Sequence, residues 1–273
     1  MSPSSPRRLA VIGAGKMGVT LCRALLDSGF VKADALVATA LHRQSLDRVA
    51  ERLAIETTLD NQAAVAGADV VLLCVKPQSA ERVLDELAEV WRPEQLLISI
   101  LAGVTSRHIE GRLVPAGQAA VVRAMPNTAS LVGAGMTALA GGRRATDEHI
   151  ATAQGIFGQV GRTVVLGERH FDAVTGLSAS GPAFVYVVIE ALAEGGVKVG
   201  LPRDVAIELA AQACLGAGQM VIETGQHPAL LKDAVTTPAG CTVDGILKLE
   251  EGGLRVTLLK AVAEAAERAR NLG

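Results

Sequence analysis

Three glycines near the start of the chain have the spacing of a turn that binds phosphate groups. Gly13, Gly15 and Gly18 follow the pattern G-x-G-x-x-G directly after a short apolar run. Glycine permits a tight turn at the first position, close approach of backbone to a pyrophosphate at the second, and close helix packing at the third. From Lys16 onward the residues favour a helix, whose free N–H groups would face the phosphate. Such turns also occur in plain loops, but the strand-turn-helix context favours dinucleotide binding.

The residues after the second predicted strand bear on which dinucleotide binds. NAD-binding versions of this fold carry an Asp or Glu roughly 20 residues past the glycines, where it holds the ribose 2′-OH. Here that place holds Ala38, Thr39 and Ala40, and Arg43 follows. A missing carboxylate removes repulsion of a 2′-phosphate, and a guanidinium can bind one. NADPH is therefore favoured over NADH, although Arg43 could simply begin a solvated helix.

Three further polar residues stand at ends of predicted elements. Lys76 follows a buried strand, at the edge where an open parallel sheet places its ligand crevice, or it is a loop lysine. Asn127 follows another strand in the same way. Asn61 precedes a short helix, where an N-cap is the safer interpretation and a cofactor contact the alternative.

Two small, hydroxyl-rich loops stand before helices in the C-terminal half. They are Ser178 to Pro182 and Val235 to Thr242. Free N–H groups at a helix start can bind a carboxylate without a positive side chain, and Thr242 could add a hydroxyl. Helix capping explains both loops as well.

The elements that must position these residues alternate between strands and helices in the first part of the chain. Alternation of this kind predicts an α/β domain with a parallel, doubly wound, Rossmann-type sheet and right-handed crossovers. The predicted strands are Leu9 to Ile12, Ala35 to Thr39, Val70 to Val75, Leu96 to Leu101, Ala119 to Met125, Ala134 to Leu139 and Thr163 to Leu166.

After Gly167 only helical patterns follow, which predicts a nucleotide-binding domain over residues 1–166 and an all-helical domain over residues 167–273. Small residues recur at helical spacing in the stripe Ala206, Ala210, Ala213 and Ala217. Such a stripe lets another helix approach closely. A helical unit of this size with wide apolar faces is expected to pair with a second copy, with the stripe and the last helix in or near the interface.

Composition excludes several classes of function. A net charge of -2 gives no reason to expect a nucleic-acid partner. The four cysteines, Cys22, Cys74, Cys214 and Cys241, have no metal-binding spacing and are expected to be reduced and mostly buried, without a metal site. The start MSPSSPRR precedes too short an apolar run for a signal peptide, and no run approaches a membrane span. We therefore expect a soluble, cytoplasmic protein without a membrane partner.

The order of several segments resembles one known family, the pyrroline-5-carboxylate reductases. The segments are GAGKMG, CVKP, AGVT, RAMPNT, DAVTGLSASGPAF, EALAEGGVKVGLP and HPALLKDAVTTPAGCT, and they span nearly the whole chain. The resemblance implies NADPH-dependent reduction of the cyclic imine 1-pyrroline-5-carboxylate to L-proline. It also implies a Rossmann domain followed by a helical dimerisation domain, which often builds larger rings of dimers.

The resemblance implies where ligands bind. Asn61, Lys76 and Ala102 would lie along the cofactor, and the loops Ser178 to Pro182 and Thr237 to Thr242 would frame the substrate. The complete predicted cofactor set is Gly13, Ala14, Gly15, Lys16, Met17, Gly18, Thr39, Arg43, Asn61, Val75, Lys76, Pro77, Ala102, Met125, Pro126 and Asn127. The predicted substrate set is Ser180, Gly181, Thr237, Gly240, Cys241 and Thr242, with Thr242 as the catalytic residue.

The second loop departs from the family pattern, because it reads TTPAGCT where relatives usually have SSPGGTT. Gly240 and Thr242 are retained, whereas Thr236, Thr237, Ala239 and Cys241 differ.

The chemistry of an imine suits a site that is poor in acids. A carbonyl reductase usually needs His or Tyr to protonate an alkoxide, and here the only Tyr is Tyr186 and the five His are scattered. An imine can bind as a protonated iminium, so that hydride addition gives a neutral amine and requires orientation above all. The Thr242 hydroxyl would then orient the ring nitrogen.

Two other functions remain possible from the residues. A 3-hydroxyacid dehydrogenase has a similar architecture but relies on a catalytic lysine in the helical half, which would be Lys198 or Lys232. A non-catalytic NADP-binding sensor would bind cofactor without turnover.

Overall fold

An eight-stranded sheet dominates the N-terminal part of the protein in a computed structural model, which describes residues 5–114 and 119–271. The strand order is β3-β2-β1-β4-β5-β6-β7-β8, and every neighbouring pair is parallel except β6 and β7. The strands are β1 Leu9–Ile12, β2 Leu36–Thr39, β3 Glu56–Thr58, β4 Val70–Leu73, β5 Leu96–Ser99, β6 Ala120–Met125, β7 Gly135–Gly141 and β8 Gly161–Val165.

Twelve helices accompany these strands within the described residues. Six fall between strands: α1 Lys16–Asp27, α2 Arg43–Leu53, α3 Asn61–Ala66, α4 Ala80–Ala88, α5 Ser106–Leu113 and α6 Asp147–Gly158. Six follow the last strand: α7 Phe171–Val174, α8 Gly181–Lys198, α9 Arg203–Thr224, α10 Pro228–Ala234, α11 Cys241–Glu251 and α12 Leu254–Arg270.

Both faces of the sheet are covered, which explains why β1 and β4 are apolar throughout. In β1, Leu9 and Val11 pack in one buried cluster with α1, α2 and α6. The alternate residues Ala10 and Ile12 pack in a second cluster with α3, α4 and α5. Successive side chains of a strand point to opposite faces, so a strand covered on both faces favours apolar residues at successive positions. The predicted doubly wound α/β fold is confirmed.

Two details of the sheet differ from the sequence prediction. β7 runs antiparallel to β6, so the prediction of a fully parallel sheet is wrong. The connecting residues 126–134 are fewer than the dozen or so that a parallel crossover needs, and they form only a short 3-10 turn. The strand β3 was not predicted, because its three residues Glu56–Thr58 are too short and polar to give an apolar pattern.

The chain divides by its contacts into two compact units. One runs to Ala179 and takes in the chain again from Ala265, and the other is the helical unit Ser180–Glu264. The predicted boundary after residue 166 separates a nucleotide-binding domain from a substrate-binding and dimerisation domain. This division by function stays a prediction. Within the helical unit Ala206 and Ala210 are buried against α8 of the same chain, whereas Ala213 and Ala217 are exposed. One half of the small-residue stripe thus packs against a helix of the same subunit.

The expectation that no run approaches a membrane span is wrong in part. The segments Glu168–Lys198 and Arg203–Thr224 are long and apolar enough to cross a membrane by length and composition, although no run was expected to qualify. Helices that pack through apolar surfaces in a subunit interface can be equally long and apolar. Length and composition alone therefore do not identify a membrane protein. The N-terminal segment MSPSSPRR is described only from its fifth residue onward.

The cysteines are less buried than expected. Cys22 is buried, and this burial raises the pKa of its thiol to about 12. Cys74 and Cys214 are half-buried, and Cys241, the first residue of α11, is exposed. In the described part of the chain no disulfide joins them, and no group of three His, Cys, Asp or Glu side chains could hold a metal ion.

Exposed apolar side chains in the helical unit predict self-association. Leu209 and Leu215 of α9 are 55% and 59% exposed in the isolated chain, which is costly for large apolar groups in water. We expect Leu215→Asp to weaken the dimer at least about tenfold, because a carboxylate would be buried without a partner. Light scattering over a dilution series measures the mass, and circular dichroism checks that helix content is retained. Gln44→Asp, at an exposed position of α2, is the matched control; an unmutated monomer would refute the interpretation.

Candidate functional site

The glycine turn has the geometry that its spacing predicts. Gly13 has φ +101°, and a Cβ there would lie 2.9 Å from the Cys74 carbonyl oxygen. A Cβ on Gly18 would lie 2.4 Å from the Gly13 carbonyl oxygen, so α1 could not pack as it does with any larger residue. A Cβ on Gly15 would meet nothing within 4 Å, because this glycine faces open space. The turn therefore combines two packing glycines with one that leaves room for a ligand.

A crevice of about 300 Å³ lies beside this turn. It is at the point between the neighbouring strands β1 and β4 where the strand order of the sheet reverses. Open α/β sheets bind ligands at such a switch point, outside the carboxyl ends of the strands. Seven residues of the predicted cofactor set line the crevice: Gly13, Ala14, Gly15, Thr39, Asn61, Val75 and Lys76. The structure thus brings together residues from four separate segments of the sequence.

Asn61 is not the N-cap of its helix, so that interpretation is wrong. The cap is Asp60, whose carboxylate accepts a hydrogen bond from the Ala63 amide at 3.0 Å. Asn61 is the first helical residue, and its Oδ1 accepts a hydrogen bond from the Thr39 hydroxyl at 2.7 Å. Thr39 in turn accepts from the Gly13 amide at 3.3 Å. The Asn61 side chain is therefore part of the crevice wall.

Other predicted cofactor residues surround this crevice without lining it. Lys16, Met17 and Gly18 form the first turn of α1, where amides have no partner within the helix. Pro77 begins the short turn after Lys76. Arg43 is exposed at the first position of α2, and the structure does not bring it to the crevice wall beside Thr39.

The remaining predicted residues meet at the ends of β5 and β6. Ala102 and Met125 pack together in one apolar cluster with the buried ring of Phe171. After Pro126, the side chain of Asn127 accepts a hydrogen bond from the Met136 amide and donates one to the Ser178 carbonyl, each at 3.3 Å. Ser178 lies in a π-helical turn, a local distortion that is often found at functional sites.

An ion pair between the buried Arg123 and the partly buried Glu168, which the sequence patterns did not indicate, connects the elements of this region. Arg123 lies in the middle of β6 with its side chain 6% exposed, and its guanidinium is 2.9 Å from a carboxylate oxygen of Glu168. The guanidinium also lies 4.6 Å from the centroid of the Phe171 ring, within the range of a cation–π interaction. Glu168 accepts hydrogen bonds from both the amide and the hydroxyl of Ser106, at the start of α5. A single arginine within an otherwise apolar strand was the available signal.

These contacts change the acidity of Glu168. Burial alone disfavours its charged form, but the hydrogen bonds from Ser106 and the neighbouring Arg123 outweigh burial and hold the pKa of the carboxyl below its ordinary value. Arg123 also donates to the Leu101 carbonyl at 3.4 Å, next to Ala102. The ionised pair thus connects the turn after β5, the strand β6 and the segment that enters α7.

The predicted substrate residues lie in the second compact unit, at the starts of two helices. Ser180 and Gly240 precede α8 and α11, and neither helix start has a side-chain cap. Simple side-chain capping therefore does not account for the two loops. Thr242 is the second residue of α11. Thr237 lies so close to Gly240 that a Cβ on Gly240 would be 2.6 Å from the Thr237 hydroxyl.

Two of the departures from the family pattern have visible structural settings. Ala239 adopts φ +61°, a left-handed conformation that glycine occupies more easily and that costs about 1 kcal/mol or more for other residues. Cys241 is exposed as the first residue of α11, next to Thr242. Position 239 thus has a backbone conformation that suits the glycine of the family pattern better than the alanine present here.

Two family models match the chain in series. Residues 8–103 match a model described as NADP oxidoreductase, coenzyme F420-dependent, and residues 168–272 match one for pyrroline-5-carboxylate reductase dimerisation. A pyrroline-5-carboxylate reductase of Methanosarcina acetivorans is 43% identical over 98% of both chains.

Solved structures agree with these matches. A pyrroline-5-carboxylate reductase of Coxiella burnetii superposes with a TM-score of 0.91 at 34% identity, covering 98% of this chain and 99% of that one. A Plasmodium falciparum pyrroline carboxylate reductase with NADP bound gives 0.86 at 28% identity, covering 97% and 98%.

The lowered pKa of Glu168 predicts a pH-dependent contribution to stability. Because the folded-state pKa lies below the ordinary value of 4.5, the contribution is complete above that pH and is lost as pH falls through the folded-state value. We expect Glu168→Gln to lower the free energy of unfolding at pH 7 by about 1–3 kcal/mol. The gap to the unmutated protein should narrow below about pH 4.5.

Urea unfolding measured between pH 7 and pH 3 provides this test. Glu51→Gln, at an exposed position of α2, is the control for loss of a carboxylate and should change stability by less than about 0.5 kcal/mol. A gap between Glu168→Gln and the unmutated protein that stays constant down to pH 3 would contradict the assignment.

Proposed function

Since the chain belongs to the pyrroline-5-carboxylate reductase family, we propose that it reduces 1-pyrroline-5-carboxylate to L-proline with NADPH. The two matching family models and the relatives, which are similar along nearly the entire chain, support this activity. The single observation that carries the proposal is the crevice at the β1/β4 switch point, with Gly15 facing open space beside the first-turn amides of α1, which have no partner within that helix. The chemical character of this crevice fits a dinucleotide.

In this function the residues of the first unit hold the cofactor. The amides at the first turn of α1 receive the pyrophosphate, because they carry the positive end of the helix dipole. Thr39 and Asn61 contact the adenosine ribose, and Lys76, Ala102 and Met125 continue the site along the carboxyl ends of the strands. Bound NADPH supplies a hydride for the imine carbon.

The start of α11 receives the substrate carboxylate. Among the described residues, the amides of Cys241 and Thr242 donate no backbone hydrogen bond, and no side chain caps them. Such amides can bind an anion through partial charges, without a cationic side chain. Ser180, Gly181, Thr237 and Gly240 complete the proposed substrate set.

The reaction then needs alignment more than acid catalysis. An iminium nitrogen already carries its proton, so hydride addition at carbon leaves a neutral amine and no alkoxide to protonate. The Thr242 hydroxyl accepts the N–H hydrogen bond of the ring and orients it. Tyr186, on α8, is 62% exposed in the isolated chain. Its hydroxyl therefore does not lie in a closed pocket of this chain, where it could act as an acid.

The protein acts as a homo-oligomer through its helical domain. The match to a dimerisation model over residues 168–272 and the exposed apolar residues of α9 support a dimer. Closure of dimers into a larger ring and a cytoplasmic location complete the proposal.

NADPH oxidation tests this function. Purified protein should oxidise NADPH when the cyclic imine is added, whereas hydroxyacids with NADP or NAD should give no turnover. A 3-hydroxyacid dehydrogenase would show the opposite pattern, and a sensor would bind NADPH without oxidising it. The Lys232 ammonium pairs with Asp233 and is 44% exposed, which does not favour a catalytic lysine. Absence of imine-dependent oxidation by correctly folded protein would overturn the proposal.

Thr242→Ala tests the aligning role of the hydroxyl. One hydrogen bond in a closed site contributes at most about 2.7–4 kcal/mol to a transition state, so turnover should fall about 10–1000-fold and remain measurable. NADPH affinity should scarcely change, since Thr242 belongs to the substrate loop. Thr242→Ser restores a hydroxyl and should recover most of the loss.

Steady-state kinetics and separate NADPH titrations on both variants measure these effects. Complete inactivity of Thr242→Ala with intact folding and cofactor binding would mean that the hydroxyl is an essential acid. Kinetics equal to those of the unmutated enzyme would mean that Thr242 serves only the helix start.

A further inference from the structure

A carboxylate enters the cofactor crevice from an element other than β2. Glu86, on α4, lines the same crevice as Thr39 and Asn61. The sequence holds no acid at the end of β2, the place from which a carboxylate usually contacts the ribose 2′-OH. Glu86 therefore supplies to this crevice the chemical group that β2 lacks.

Hydrogen bonds hold Glu86 in this place. Its Oε2 accepts from the Asn61 amide nitrogen at 2.8 Å, and its Oε1 accepts from the Arg82 guanidinium one helical turn earlier. Asn61 in turn accepts from Thr39 at 2.7 Å, and Thr39 accepts from the Gly13 amide. A continuous series of hydrogen bonds thus runs from Arg82 to the glycine turn.

The charged side chains that line the crevice are of both signs. Its charged lining residues in the described chain are Lys76, Arg82 and Glu86, so one anion stands among two cations. The Glu86 side chain is 33% exposed and that of Arg82 58% exposed. The carboxylate is thus the more enclosed member of the pair, and water screens its field less than that of the guanidinium.

We propose that Glu86 and Arg82 together set the discrimination between NADPH and NADH. The proposal rests on the cofactor site described above and adds the residues that decide its selectivity. The Glu86 carboxylate repels a 2′-phosphate and can accept a hydrogen bond from a 2′-OH, which favours NADH. Arg82 neutralises that carboxylate and adds attraction for a phosphate, which favours NADPH. The observed pair is a balance in which both dinucleotides can bind.

Two variants with opposite expected effects test this balance. Glu86→Gln keeps an oxygen that can accept from Asn61 but removes the charge, so the ratio of NADH to NADPH dissociation constants should rise about 3- to 10-fold. Arg82→Gln leaves the carboxylate uncompensated, so the same ratio should fall by a similar factor. Both shifts should shrink at 0.5 M salt, because charge effects at a partly exposed site are screened.

Fluorescence titration of each reduced dinucleotide, without imine, measures the two dissociation constants of the unmutated protein and of each variant. Glu89→Gln is the matched control: it removes a carboxylate at the end of α4 that does not line the crevice, and the ratio should change less than about twofold. Thermal unfolding of each variant checks that the fold is retained. Because binding is measured without the substrate, a failure of reductase activity would not mimic a failure of this proposal.

Three outcomes would overturn the proposal. The ratio could stay within about twofold in both variants, or shift in the same direction in both. Alternatively, Glu86→Gln could weaken NADPH and NADH equally, which would make Glu86 only a support for the Asn61 side chain. Opposite shifts in the two variants, with Glu89→Gln unchanged, would establish the pair as the selectivity device.

Discussion

The close approach of α1 to the turn after β1 is the constraint on which the rest of the nucleotide-binding unit depends. A Cβ on Gly18 would lie 2.4 Å from the Gly13 carbonyl oxygen, a distance at which backbone must move. This contact places the first turn of α1 at the carboxyl edge of the sheet, beside the paired strands β1 and β4 where the strand order reverses. The amides at that turn and the opening beside Gly15 then form one surface, because a helix start without intrahelical partners faces the crevice.

Two regions at the carboxyl edge of the sheet are stabilised by different interactions. On the β2 side, hydrogen bonds through Thr39 and Asn61 connect the glycine turn with the Glu86 carboxylate. Near the end of β6, the pair of Arg123 and Glu168 joins segments that also pack through the apolar cluster of Ala102, Met125 and Phe171. A buried pair is not by itself evidence of stability, because desolvation offsets its attraction. Its definite effect is geometric, since a guanidinium that bonds Glu168 and the Leu101 carbonyl restricts both.

The helical unit has a different physical character. α8 and α9 pack through Ala193, Ala206 and Ala210, where small side chains permit close approach but bury little area each. The larger apolar residues of α9, such as Leu209 and Leu215, remain exposed in the isolated chain. A unit built in this way depends on a second copy for much of its apolar burial, which agrees with the dimerisation model that it matches. The same surfaces explain why two of its segments resemble membrane helices in composition.

The sequence by itself determined the features that depend on neighbours in the chain. Glycine spacing after an apolar run predicted the phosphate turn, continuous apolar runs predicted the covered strands, and ordered motifs predicted the family. Only the tertiary structure decided the direction of β7, the capping of α3 by Asp60, and the entry of Glu86 into the crevice. It also revealed the pairing of Arg123 with Glu168. Asn61 and Glu86 are 25 residues apart, and Arg123 and Glu168 are 45 apart. Local patterns carry no information on such pairs, because their contact depends on how the whole sheet brings its strand ends together.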